Sequence, residues 1–200
     1  MSKLTTKFYQ REDILLISRE LLGKVLCTNF HGKLTSGIIV ETEAYAGVTD
    51  KASHAYGGRR TKRTETMYAK GGSAYIYLCY GIHHLFNIVT NKENIPHAIL
   101  IRAIQPRDGI EIMLQRRKKK TLEHTLTAGP GSLTQALGIT VKDSGISLLS
   151  NHIWLEDKNI FFANKDISAS PRVGVQYAGK DANNPWRFQV ANNAWVSPAT

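Results

Sequence analysis

Gly37-Ile38-Ile39-Val40-Glu41-Thr42-Glu43-Ala44-Tyr45-Ala46-Gly47 begins as an apolar run and ends in two carboxylates and an aromatic ring. Alternate side chains of a strand share a face, so Glu41, Glu43 and Tyr45 point one way and Val40, Thr42 and Ala44 the other. Like charges two positions apart repel and resist burial, so the pattern suits chemistry better than packing. A glycine-rich basic loop holding His54 follows. The chain then enters Ala74-Tyr75-Ile76-Tyr77-Leu78-Cys79-Tyr80-Gly81-Ile82-His83-His84-Leu85-Phe86-Asn87, which reads as two strands meeting near Tyr80-Gly81-Ile82.

Towards the N-terminus, residues 12–22 carry apolar side chains at helical spacing, with Gly23 as a stop, followed by a strand over 24–30 and a turn at His31-Gly32-Lys33. Towards the C-terminus, residues 97–104 form a strand apolar enough to be covered on both faces, interrupted by Arg102, which needs a carboxylate partner or a wet cavity. Pro106-Arg107-Asp108-Gly109 reads as a turn into a helix carrying Ile110, Met113 and Leu114, which runs into Arg116-Arg117-Lys118-Lys119-Lys120. That basic run reads as a solvated face or a set of phosphate contacts. A short helix follows between Gly129 and Gly138, and then strands at 153–155, 172–175 and 186–190. The fold class expected is α+β: a single domain over residues 1–200, with a mostly antiparallel curved sheet, a protruding aromatic hairpin and several short helices.

Lys and Arg outnumber Asp and Glu by 26 to 16, a formal charge of +10 that favours a polyanionic partner through phosphate contacts. No apolar run approaches the ~20 residues of a membrane span and the first residues lack a signal-peptide core, so a soluble cytoplasmic protein is expected, with no membrane partner. Cys27 and Cys79 lie in apolar runs and read as buried thiols of a reducing compartment.

An aromatic face beside carboxylates in a basic protein suits an enzyme that takes a nucleobase out of the stack. Extrusion costs a few kcal/mol, and each aromatic contact returns ~1–3 kcal/mol. Tyr45, His54 and Tyr77 supply flat surfaces, and Tyr80 at the hairpin tip is placed to fill the vacated position as a wedge. A glutamate would deprotonate a water attacking the sugar through an oxocarbenium-like state. The residues alone do not choose between Glu41 and Glu43, and either one suits an ion pair with Arg102. Two other readings use the same residues: Glu41, Glu43, Asp50 and His54 as a metal site for phosphodiester cleavage, or a noncatalytic nucleic-acid-binding module.

In order and spacing, Val40-Glu41-Thr42-Glu43-Ala44-Tyr45, His54, Gly57-Gly58-Arg59, Met67, Tyr75-Ile76-Tyr77-Leu78-Cys79-Tyr80-Gly81, Asn87 and Arg102 resemble the alkyladenine (3-methyladenine) DNA glycosylase family of the mammalian type, in the form of a compact bacterial member. The likeness extends through Gly129-Pro130 and Arg172-Val173-Gly174-Val175 to Trp186-Arg187-Phe188. The resemblance implies a monofunctional glycosylase without metal or cofactor, monomeric and nucleoid-associated, acting on double-stranded DNA that contains damaged bases. It implies Glu43 as general base, with Arg102 and the Val173 carbonyl helping to hold the water. By the same likeness Tyr45, His54 and Tyr77 wall the flipped base, and Asn87 crowds the amino group of normal guanine. Tyr80 is the intercalating wedge, and Arg59, Arg63 and Met67 approach the DNA. The chain departs from the pattern in a longer loop between Asn87 and Arg102, and in Gly131-Ser132 where the mammalian members have Ser-Lys.

Overall fold

The structure, a computed structural model, describes residues 2–198. Its strands and α-helices run β1 (Ser2–Lys3), α1 (Thr6–Tyr9), α2 (Ile14–Glu20), β2 (Val25–Phe30), β3 (Lys33–Ala46), β4 (Ala74–Cys79), β5 (His83–Thr90) and β6 (His97–Asp108). Then follow α3 (Ile110–Arg117), α4 (Pro130–Leu137), β7 (Ile153–Asp157), β8 (Ile167–Ser170) and β9 (Arg187–Val190). The strands form one sheet in the order β1-β7-β2-β3-β6-β5-β4, with β9 pairing both β3 and β8. Every pairing is antiparallel. The α+β expectation holds, although the strand path is open and does not curl round to join β4 to β1.

β3 is the spine. One edge pairs along its length with β6, while the other pairs first with β2 (residues 33–38) and then with β9 (residues 41–43). Register shifts around Glu41 mark the irregularity at which the second edge changes partner.

Alternation along the strands separates two faces. Val40 and Ala44 of β3, Ala74 and Ile76 of β4, Phe86 and Ile88 of β5, and Ile99 and Ile101 of β6 join Ile14, Ile17, Met113, Leu133 and Leu137 of the helices in the main core. Thr42 completes that face by donating its hydroxyl to the Ser18 carbonyl of α2 at 3.0 Å. On the opposite face Tyr75, Val89 and Ala98 pack with Ala55, Met67 and Tyr68 from the connection between β3 and β4. The apolar β6 is therefore covered on both sides.

The β3–β4 connection is ordered by its own contacts: Asp50 is buried and paired with Arg172, and Arg60 pairs with Glu65. At the β4–β5 junction Ile82 N–H donates to the Cys79 carbonyl, with Tyr80 at φ 51° and Gly81 at φ 74°. Two left-handed residues in succession match the twist of antiparallel strands, a conformation that a tyrosine adopts only at a cost.

Three local expectations are corrected. Residues 106–108 continue β6, since Asp108 pairs across to Ser36, and the turn is confined to Gly109 at φ 72°. Residues 172–175 form no strand: the Val173 amide donates to the Glu43 carboxylate and Gly174 turns left-handed at φ 74°, both incompatible with a continuing ladder. Cys79 is only half-buried, unlike Cys27. The basic run is also less solvated than its composition suggests. Arg116 donates to the Ala136 carbonyl at 3.1 Å, and Arg117 donates to Gln135 at 2.5 Å and to Ser132 Oγ at 3.1 Å, tying α3 to α4. No helix among the described residues is long and apolar enough to cross a membrane.

Candidate active site

The face opposite the main core opens into a cavity of about 490 Å³, within the roughly 300–1,000 Å³ of small-ligand clefts. Its walls include Tyr45 from β3, Tyr75 and Tyr77 from β4, Asn87 from β5 and Arg102 from β6. His54 and Met67 contribute from the β3–β4 connection, and Val173 and Tyr177 from the segment after β8. Tyr80 and His83 belong to the same rim. Residues spaced by two along β4, β5 and β6 reach the cavity because they share the non-helical face.

Glu43 is fully buried and sits one hydrogen bond behind this wall. Its Oε2 accepts from the Tyr45 hydroxyl at 2.7 Å, its Oε1 accepts from the Val173 N–H at 2.8 Å, and Arg102 Nη1 lies 3.3 Å from Oε1. All three partners line the cavity. Val173 reaches Glu43 through its amide; the sequence likeness gave its carbonyl a separate role, towards the water. Burial, and next the adjacent Glu43 carboxylate, push the Tyr45 pKa well above its ordinary value, so the phenol stays a donor.

Glu41 has a different environment. Its Oε1 accepts from Arg102 Nε at 2.8 Å and Arg187 Nε at 2.7 Å, within a buried cluster that includes Ser197. Burial opposes the Arg102 charge, but the Glu43 and Glu41 carboxylates outweigh it and raise its pKa. The carboxylates that the strand pattern left equal are separated here: Glu41 is the inner anchor of Arg102, and Glu43 is the acid next to the cavity.

The aromatic wall is a packed set. His54 and Tyr77 meet edge-to-face at 4.6 Å between centroids, Tyr75 and Tyr77 lie at 5.6 Å, and Tyr75 Oη is 2.9 Å from His54 Nδ1. Burial, then the neighbouring Arg63 and Arg59 charges, lower the His54 pKa to about 4, so the ring is neutral near pH 7. Asn87 donates from Nδ2 to the carbonyls of Tyr75 and Leu85, at 3.2 and 3.3 Å, which fixes its amide in the wall. Tyr80 is 90% exposed at the rim.

Arg59 and Arg63 are exposed, Arg63 stacking over Tyr77 at 5.0 Å. Met67 is buried in the cavity wall and not on the surface. A Cβ at Gly131 would lie 2.9 Å from Nδ1 of the exposed His83 ring, which would have to shift to admit it. Where the mammalian pattern has a lysine, Ser132 is met by the Arg117 guanidinium.

Sequence reasoning gave no role to Tyr75, Arg187, Ser197 or Tyr177. Tyr75, beside Tyr77 in the tyrosine hairpin, and Arg187, within the Trp186-Arg187-Phe188 likeness, carried a signal; Ser197 and Tyr177 carried none. Glu41, Glu43, Asp50 and His54 do not converge as a metal set: Asp50 is held by Arg172 and His54 by Tyr75. Among the described residues no group of three or more His, Cys, Asp or Glu is arranged to hold a metal.

A model of the methylpurine-DNA glycosylase family matches residues 7–194. The chain belongs to that family. A Chlamydia felis relative, named provisionally as a 3-methyladenine DNA glycosylase, is 49% identical over 92% of this chain and 94% of its own. Relatives given the same provisional name occur in Bacillus cereus strain G9842, at 46% identity over 95% of this chain and 96% of theirs, and in Clostridium perfringens strain 13, at 41% over 98% of each. As a methylpurine-DNA glycosylase family member the protein is a DNA repair hydrolase acting on N-glycosyl bonds, with DNA as its substrate partner.

Proposed function

We propose that this glycosylase, acting as a monomer on duplex DNA, swings an alkylated purine such as 3-methyladenine into the cavity and hydrolyses its N-glycosidic bond with a water activated by Glu43. The observation that carries the reading is the set of hydrogen bonds placing Glu43 directly behind Tyr45, Val173 and Arg102. Oε2 accepts from a phenol that belongs to the cavity wall, so a base stacking on Tyr45 acts on a group bonded to the acid. The water forms its bond to the anomeric carbon as the carbon–nitrogen bond breaks, and its proton passes to Glu43. Arg102 holds the carboxylate in position, and the negative charge stabilises the oxocarbenium-like state.

Purines methylated at N3 or N7 are cationic and leave as neutral bases, so no strong general acid is needed. Their charge also favours the faces of Tyr45 and Tyr77, by ~0.5–2 kcal/mol. Asn87, anchored in the wall, crowds the exocyclic amino group of normal guanine. Tyr80 fills the gap left in the duplex, and Arg59 and Arg63 meet phosphates. The relatives' names support 3-methyladenine as a lesion to test.

The test is to incubate the protein with methylated duplex DNA in chelator and identify the freed bases. Release of 3-methyladenine, leaving sites that break only on heating with alkali, is the expected result. Strand breaks without free base would sink the reading.

A further inference from the structure

We infer that Ser197, in the segment that follows β9, is a positioning residue for Arg102, and through Arg102 sets the geometry around Glu43. The inference rests on the proposed role of the Glu43–Arg102 pair. Arg102 divides its guanidinium three ways: Nε to Glu41 at 2.8 Å, Nη2 to Ser197 Oγ at 3.1 Å, and Nη1 towards Glu43 at 3.3 Å. With Nε alone bonded, the planar group keeps freedom to swing. A second fixed donor makes its direction definite, and Nη1 then faces Glu43.

Ser197 itself is fastened at every polar atom. Its amide donates to Glu41 Oε2 at 2.7 Å, and its hydroxyl donates to Glu41 Oε1 at 2.9 Å while accepting from Arg102. Its carbonyl accepts from Arg187 Nη2 at 3.0 Å. The residue is 5% exposed, and a hydroxyl is buried that deeply without loss only where its bonds are made. Trp195 and Val196 pack against the main core and hold the segment in place. A serine far from the cavity in sequence is thus the outer half of the clamp whose inner half is Glu41.

The experiment compares wild type, Ser197→Ala and Ser197→Thr by single-turnover base release at saturating methylated duplex DNA. Alongside it run duplex affinity, thermal melting and the ¹⁵N signal of the Arg102 side chain, assigned through Arg102→Lys. Loss of a hydrogen bond to a charged group predicts a fall in release of about 10- to 100-fold for Ser197→Ala. Affinity is retained, the Arg102 signal shifts, and Ser197→Thr recovers both release and signal. Release by Ser197→Ala equal to wild type, or a fall that follows melting and that threonine does not rescue, overturns the inference. If wild type itself releases no base, the proposed function falls, and the anchoring of Arg102 is then decided by the ¹⁵N signal, which an unchanged Ser197→Ala spectrum would refute.

Discussion

Tyr45 and Glu43, two residues apart on β3, are joined by a 2.7 Å hydrogen bond from the phenol to Oε2. The strand period sets both side chains on one face, and the bond makes the ring proposed to receive a base the same group that donates to the acid. Tyr45→Phe keeps the ring and frees Oε2. Base release from the bound complex should fall by about 10- to 100-fold, the scale of one hydrogen bond to a charged group, whereas Tyr45→Ala loses the platform as well and falls further. Equal losses in the two variants would contradict the separation of ring from hydroxyl.

Glu43→Gln removes the proposed base and leaves the cavity shape. Release of 3-methyladenine should fall by about 10²- to 10⁴-fold, the usual contribution of a general base, while a gel-shift assay still detects lesion-containing duplex. Substantial release by this variant would return the catalytic assignment to Glu41.

Tyr80, 90% exposed in a left-handed turn, has few contacts of its own to lose. Tyr80→Ser should weaken lesion-duplex binding by the worth of a stacking contact, ~1–3 kcal/mol, with melting unchanged. Single-turnover release from preloaded complex should be reduced less than binding. The reverse order of effects would remove the wedge role.

Asn87→Ser shortens a side chain whose amide is pinned by the Tyr75 and Leu85 carbonyls. Release of unmodified guanine from undamaged duplex should rise relative to release of 3-methyladenine. Unchanged selectivity would show that the wall does not discriminate at this position.

His54 predicts a pH dependence of stability. Its pKa falls from 6.5 to about 4 in the folded protein. The unfolded chain takes up the proton below about 6.5 while the folded one does not, so stability present above 6.5 is lost progressively as pH drops towards 4. His97 is shifted in the same direction. Thermal melts of wild type and His54→Gln between pH 7 and 5 isolate the His54 share: the variant should lose less, and parallel curves would refute the shift.

Much of the fold and part of the site were legible because both follow from local periodicity. The alternation in residues 37–47 placed Glu41, Glu43 and Tyr45 on one face, the likeness added Tyr77 and Asn87, and Arg102 in an apolar strand called for a carboxylate partner or a wet cavity. Residues 172–175 were misread as a strand because nothing near them shows that the Val173 amide is taken by Glu43, 130 positions away.

The amino-acid order by itself determined the antiparallel α+β character, the face on which the aromatic and acidic groups gather, and the family likeness. The likeness pointed to Glu43, but the physical reason for preferring it over Glu41 came only from tertiary structure. Local pattern treats Glu41 and Glu43 alike, and they are told apart only by partners brought from afar: the Val173 amide 130 residues from Glu43, and the Ser197 amide 156 residues from Glu41. A buried carboxylate takes its role from the donors that surround it, and those donors are set by the folded chain and not by its neighbours in sequence.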